Sequence, residues 1–303
     1  MTSDRNTLLV IAGPTGSGKT DLAVEVAMRL GAPVISADSR QVFKNMPVGT
    51  AQPSAQQLSA IKHYFIADRE VSDDFNAGIF EREALELLDV LFADNEYVVM
   101  VGGSGLYIDA VCYGLDALPT ADPRLRDELA VRLEREGLQS LAEELKRLDP
   151  LGYAAVDRNN PARVIRALEV CRQTGRPYSE QRIGVHKQRP FRIVKVAIDT
   201  PREELYERIN MRVERMITDG LVAEAQKMYQ YRHLNALQTV GYKELFDYFD
   251  GTVTLDHAVE LIKRNSRRYA KRQMTWLRRD ADIHWVTRRD ADLVENLCRK
   301  NLQ

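Results

Sequence analysis

Gly13-Pro14-Thr15-Gly16-Ser17-Gly18-Lys19-Thr20 matches the pattern GxxxxGK[ST] in full, a spacing suited to holding a polyphosphate. The glycines let backbone N–H groups wrap a phosphate, and a helix N-terminus adds partial positive charge. Lys19 is placed to neutralise terminal phosphoryl oxygens and Thr20 to ligate Mg²⁺. Such a loop declares a polyphosphate and leaves its fate open. ATPases and GTPases usually hold magnesium with a further strand ending in Asp, whereas here Val98-Val99-Met100-Val101 runs into Gly102. That weighs against a motor or switch NTPase. A carboxylate does stand at a neighbouring strand end, Asp38 in Ser36-Ala37-Asp38-Ser39-Arg40-Gln41. Facing the phosphate loop, it is a candidate general base on an acceptor; the alternatives are a helix N-cap and an outer-sphere magnesium residue.

Two further groups of charges bear on chemistry. Arg208, Arg212 and Arg215 recur at helical spacing, and Arg212 is the candidate for an arginine in the cleft, the other two fitting a solvated helix face equally well. Lys263, Arg264, Arg267, Arg268, Lys271, Arg272, Arg278 and Arg279 lie together, with no acid between Glu260 and Asp280 and with Tyr269, Met274 and Trp276 interleaved. Such a helix can track phosphates while its aromatics pack inward or stack on bases; taken alone it is equally a solvated face. Arg163 and Arg166, three apart, offer a second phosphate clamp or an exposed helix edge.

The elements that must position these residues read as alternating strands and helices. The run 8–12 is a buried parallel strand, followed by the Gly-rich turn and a helix over 20–30. Strands over 32–36 and 97–101 follow, and 106–111 is helical. The pattern predicts an α/β fold, a P-loop NTPase-like parallel sheet flanked by helices, with loops gathered at the strand C-termini. From Asp122, an N-cap with Pro123 behind it, Leu125, Leu129, Leu133, Leu138, Leu141, Leu145 and Leu148 recur at helical spacing. Asn160-Pro161 opens a second helix that Gly175 and Pro177 close. A strand over 192–198 then returns, so an all-helical insertion over 121–189 divides a core of 1–120 and 190–303. Thr200-Pro201-Arg202-Glu203 reads as a capping box, and the remainder as helical, with breaks at Asp219-Gly220, Gly241 and Asp250-Gly251.

Composition narrows the classes. The 303 residues, 44% of them hydrophobic, suffice for one large domain or one carrying a smaller one. A net charge of −1 means that any nucleic-acid footprint is local. Cys112, Cys171 and Cys298 are scattered and odd in number, which argues against a disulfide framework or zinc knuckle. The apolar run near the start is too short for a signal sequence or membrane span, so the expected location is the cytoplasm.

Six segments together resemble the tRNA dimethylallyltransferase (isopentenyltransferase) family: the P-loop, Ile35 to Gln41, Gly102-Gly103-Ser104-Gly105-Leu106-Tyr107, Asn160 to Glu169, Val240-Gly241-Tyr242-Lys243-Glu244, and Arg267 to Gln273. The resemblance spans nearly the whole chain. It implies transfer of a dimethylallyl group from dimethylallyl diphosphate to the exocyclic amine (N6) of the adenosine 3′-adjacent to the anticodon, with Mg²⁺ as cofactor. Lys19, Asp38, Ser104 and Arg212 are then catalytic, and residues 13–20 bind the diphosphate. Contacts to the tRNA anticodon stem-loop fall to Asp38, Ser39, Arg40, Gln41, Ser104, Arg126, Arg163, Arg166, Gly241, Tyr242, Lys243, Arg268, Lys271 and Arg272. The target adenosine has to flip into the cleft, since an amine inside stacked RNA is unreachable, and Arg40 and Gln41 beside Asp38 are placed to meet its base. Three departures stand out. Ser104 replaces the usual Thr and keeps a hydroxyl; His63-Tyr64-Phe65-Ile66-Ala67 replaces His-His-Leu-Ile-Asp and loses an acid; the eukaryotic C-terminal zinc finger is absent, which points to a bacterial type. No membrane or obligate protein partner is expected. The alternatives are a P-loop small-molecule or nucleotide kinase, which leaves the basic helix unexplained, and a nucleic-acid-binding regulatory NTPase, against which the missing strand-end acid counts.

Overall fold

The computed structural model describes residues 6–184 and 186–300. They divide into two compact units, one of residues 1–112 with 188–303 and one of 113–187. In the first unit the chain begins β1 (Thr7–Ala12), α1 (Lys19–Leu30), β2 (Val34–Ser36), α2 (Ala55–Ala60) and β3 (His63–Tyr64). It continues through α3 (Ala77–Asp94), β4 (Tyr97–Gly102) and α4 (Gly105–Tyr113). The second unit is helical: α5 (Pro123–Leu148), α6 (Pro150–Ala155), α7 (Pro161–Thr174) and α8 (Tyr178–Gln181). The first unit resumes with β5 (Arg192–Ile198), α9 (Arg202–Thr218), α10 (Leu221–Met228), α11 (Tyr242–Phe249) and α12 (Leu255–Leu277), and closes with β6 (His284–Val286) and α13 (Ala291–Arg299).

The six strands form one parallel sheet in the order β3-β2-β4-β1-β5-β6. All residues of β1 and β4 are buried, the condition of a parallel strand covered on both faces, and it explains their uninterrupted apolar runs. On one face Leu9, Ile11, Val99 and Val196 pack against Leu22, Val26 and Val294 from α1 and α13. Ala12 is level with Gly102 on one side and Ala197 on the other, and Ser36 is level with Val101. The loops after β1, β2, β4 and β5 therefore emerge at one edge, where parallel sheets bind ligands.

The expected P-loop-type sheet is present, with differences in detail. β3 and β6 were not expected; at two and three residues they are too short to show an alternating pattern. The capping box at Thr200 does not form. Pro201 occupies the N-cap position of α9 without any side-chain cap, leaving Thr200 one residue too early.

In the helical unit, Leu129, Leu141, Leu145, Val164 and Leu168 form the core, while Leu148 stays exposed. Gly137, at φ 79°, breaks α5 into two helices; a left-handed residue cannot continue the helix. Asn160 caps α7 through Arg163 N–H, with Pro161 behind it. The unit runs from Tyr113 to Lys187, where 121–189 was expected. Its ends are joined by Lys187 N–H to the Tyr113 carbonyl at 2.7 Å, Gly184 N–H to Asp116 Oδ1 at 2.9 Å, and the Tyr113 ring stacked on His186. No leucine periodicity marks 113–121, so the sequence pattern starts the unit late. No described helix is long and apolar enough to cross a membrane.

Candidate active site

The P-loop joins β1 to α1, and Gly16 and Gly18 take φ values of 81° and 88° that L side chains avoid. It opens on a cavity of about 500 Å³ lined by Thr15, Lys19 and Thr20 from the loop, Asp38 to Gln41 after β2, Gly49 to Ala51, Arg212, Gly241, Lys243, Arg268, Tyr269, Arg272 and Gln273. Lys19, Asp38 and Arg212 are electrostatic neighbours. Lys19 keeps some contact with solvent, yet its ammonium sits deep in the cavity. Burial is the largest cause lowering its pKa to about 8, Asp38 opposing and Arg212 adding to the shift. Burial likewise lowers Arg212, against the pull of Asp38. The cavity thus collects cationic groups at a desolvation cost that a bound polyanion would offset.

No helix begins at Asp38, so it is not the N-cap that the sequence also allowed. Its Oδ1 accepts the N–H groups of Arg40 and Gln41 at 2.9 and 3.3 Å, an Asx-type turn that fixes the loop after β2. It also borders the cavity beside Lys19. The strand beside it ends in Gly102 for a steric reason: a Cβ there would lie 2.2 Å from the Ala37 carbonyl oxygen. The loops after β2 and β4 approach too closely for an acid at the β4 end, and the carboxylate stands on the β2 loop instead.

Gln41 is committed to the protein. Its amide nitrogen donates to the Thr50 and Ala51 carbonyls at 3.2 and 2.9 Å, and its Oε1 accepts from Ser36 Oγ. Both amide hydrogens are spent, so its side chain shapes the 49–51 wall and, contrary to the expectation that it meets the flipped adenosine, has no donor left for a base. Tyr242 is a similar correction. It is fully buried, and its hydroxyl donates to Glu224 Oε1, whose carboxylate also accepts Val48 and Gly49 N–H. A Cβ at Gly49 would sit 2.5 Å from the Tyr242 ring. Tyr242 therefore holds the 48–51 segment from behind and offers RNA no surface, while Gly241 and Lys243 do line the cavity.

Ser104 links loops rather than opening on the cavity. Its Oγ accepts Ser39 N–H at 3.1 Å, contacts Ser39 Oγ at 3.4 Å, and hydrogen-bonds the Tyr269 hydroxyl, whose pKa burial pushes up to about 12. Arg208, read as a solvated face as readily as a functional one, reaches the P-loop: its Nη1 donates to the Ser17 carbonyl, while Arg215 is exposed. In the helical unit Arg126 and Arg166 both bind the fully buried Glu169, Arg126 through two nitrogens, and Arg166 also donates to the Pro119 carbonyl. Removing either would leave a buried carboxylate with one partner fewer, so their first task is structural. Arg163 is exposed.

On α12, Arg268, Lys271 and Arg272 are exposed, and Arg268 and Arg272 also line the cavity. Lys263 is instead paired with Glu214 and Glu260, and Arg267 donates to Asn210. Gln273, which nothing in its type or spacing marked in the sequence, ties the P-loop to the β4 loop.

Comparison with known proteins places this geometry among relatives. The model of a family described as IPP transferase matches residues 41–280. The chain is 52% identical over 280 residues to tRNA dimethylallyltransferase 2 of Parabacteroides distasonis, covering 92% of this chain and 94% of that one. It is 49% identical to the tRNA dimethylallyltransferase of Cytophaga hutchinsonii, over 98% and 97% of the two chains. The crystal structure of the tRNA isopentenylpyrophosphate transferase of Bacillus halodurans aligns with a TM-score of 0.72 at 37% identity, covering 97% and 96%. A eukaryotic dimethylallyltransferase that acts on tRNA, 24% identical with a TM-score of 0.77, shares the fold.

Proposed function

The chain belongs to the tRNA dimethylallyltransferase (IPP transferase) family, and from that premise we propose that its cavity joins dimethylallyl diphosphate to a tRNA adenosine. The N6 amine of the adenosine 3′-adjacent to the anticodon attacks the allylic carbon, the C–O bond to diphosphate breaks, and the amine loses a proton. The observation that carries this reading is the convergence in one cavity of the P-loop Lys19, the strand-end Asp38, Arg212, and Arg268 and Arg272 from the basic helix. Lys19, Arg212 and the loop amides balance charge developing on the departing diphosphate. Asp38 stands beside them to accept the amine's proton. Arg268, Lys271 and Arg272 bind RNA phosphates and bring the anticodon loop to the opening.

Magnesium suits this arrangement. Among the described residues no three His, Cys, Asp or Glu side chains gather to hold a metal unaided; Mg²⁺ asks for less, taking most of its oxygens from water and substrate phosphates. The Thr20 hydroxyl would hold it, and the bound ion would neutralise charge on the leaving group. The kinase alternative is set aside: nothing in it requires the basic α12 face, and the full-length relatives are named as tRNA prenyltransferases.

Prenyl transfer to an isolated anticodon stem-loop, lost when that adenosine is replaced by guanosine, tests the reading; transfer to both would contradict it. Two further outcomes follow. In the free protein Lys19 has a pKa near 8, and diphosphate favours its charged form, so the ligand raises that pKa. Diphosphate affinity is therefore full below pH 8 and declines as pH rises through it, with a proton taken up on binding just above pH 8. Calorimetry in two buffers of different ionisation enthalpy measures that uptake; identical heats would oppose it. Reversal of Arg268 and Lys271 to Glu weakens tRNA binding and reduces the slope of log K against log salt by about one for each lost phosphate contact. An unchanged slope would return α12 to a solvated face.

A further inference from the structure

Gln273 is almost completely buried, at 6% exposure. Its Oε1 accepts the backbone N–H of Thr15 in the P-loop at 2.9 Å, and its Nε2 donates to the Gly103 carbonyl, also at 2.9 Å. The partners lie on loops that follow two adjacent strands, β1 and β4. Its side-chain amide supplies both the acceptor and the donor that the two loops need. The fit is close: a Cβ at Gly103 would lie 2.2 Å from Nε2. Two neighbours on α12 dock on the same loop. Tyr269 bonds Ser104; Trp276 covers Gly105, where a Cβ would meet its ring at 2.3 Å, and donates Nε1–H to Asp109 at 3.0 Å. Thr15 is held a second time, its hydroxyl accepting from Arg212 Nη1 at 2.8 Å.

We propose that Gln273 is a positioning residue for the diphosphate: it fixes the Pro14–Thr15 peptide plane, and through it the aim of the P-loop amides that follow. The inference rests on the reading of the P-loop as a diphosphate site. Gln273 touches no reacting atom in this account. It acts through Thr15, and it stands on the helix whose other side chains, Arg268 and Arg272, line the same cavity. Backbone amides bind an anion well only when pre-aimed, since each misdirected donor forfeits a charge-assisted hydrogen bond.

The test measures binding of inorganic pyrophosphate with magnesium, and separately of tRNA, to the full chain. Gln273→Met keeps the volume and removes both hydrogen bonds. It is expected to lose about tenfold or more in pyrophosphate affinity, the effect of one misdirected charge-assisted hydrogen bond from the P-loop, with tRNA affinity within about twofold and the melting temperature lowered by about a few degrees as the two loops lose their partners. Gln273→Glu keeps an acceptor for Thr15 but sets a carboxylate oxygen against the Gly103 carbonyl and adds negative charge beside the diphosphate, so a loss at least as large is expected; it reads the same contact where the Met variant folds poorly. Native-like pyrophosphate affinity in both variants would overturn the proposal. So would a parallel loss of both ligands, which makes Gln273 a brace of the fold alone. A native chain that binds no pyrophosphate would instead sink the diphosphate reading on which the proposal stands.

Discussion

Replacement of Lys19 by Ala is expected to reduce prenyl transfer by about 10³-fold or more while leaving tRNA affinity within a few fold, because the lost charge faces the leaving group and not the nucleic acid. Loss of a single neutral donor to a developing oxyanion costs about 10²–10³-fold, and a buried ammonium contributes more, since hydrogen bonds to charged groups are about twice as strong. The variant should fold. In the free protein Lys19 is a cation in a desolvated place, its pKa lowered to about 8, so its removal relieves a cost; its one hydrogen bond is a long 3.4 Å contact to the Pro14 carbonyl. Thr20→Ala, which removes the proposed magnesium ligand, should depress the same step. Steady-state rates together with filter binding of tRNA check both. Undiminished prenylation in the two variants would detach the P-loop from the reaction.

The second large effect concerns Asp38. An adenine amine is a poor nucleophile because its lone pair is delocalised into the ring, so a carboxylate that takes its proton as the C–N bond forms should matter. The structure makes Asp38→Asn an incisive substitution. The turn after β2 depends on Oδ1, which accepts from Arg40 and Gln41 N–H; an Asn carbonyl oxygen accepts the same two bonds, so the loop is preserved and the basic oxygen removed. Turnover is expected to fall by about 10²–10⁴-fold with substrate affinities nearly unchanged. A variant with normal single-turnover rate at saturation but weakened magnesium-dependent diphosphate binding would make Asp38 a magnesium residue and not the base.

The parts of the site legible in the sequence are those where local pattern and chemistry coincide. The P-loop carries its own spacing, its flanking strand and helix follow from apolar runs, and Asp38 stands where a strand ends. Arg212, picked from three arginines at helical spacing, does reach Thr15, though Arg208 reaches the P-loop as well. What stayed hidden depends on contacts between distant segments. Tyr242 is polar at one atom and apolar over most of its surface, so a motif containing it could face either way; only the Glu224 and Gly49 contacts show that it faces inward. Gln41 invited a role in base recognition because free amides recognise adenine, but its donors are spent on residues nine and ten positions away. Arg163 and Arg166 invited a phosphate clamp and Arg126 a tRNA contact, yet Glu169, in the same segment as Arg163 and Arg166, is buried as the partner of Arg126 and Arg166. Gln273 is 258 residues from the amide it holds, a distance over which no periodicity carries information.

The central claim is that this P-loop delivers an allylic diphosphate to an RNA amine rather than a phosphoryl group to an acceptor. It is tested most directly by incubating the protein with unmodified tRNA and magnesium, adding either dimethylallyl diphosphate or ATP, and weighing the nucleosides after digestion while nucleotide hydrolysis is followed. The account predicts one added dimethylallyl group on the adenosine 3′ to the anticodon, with release of diphosphate, and ATP left intact. RNA of unchanged mass beside hydrolysed ATP would contradict it.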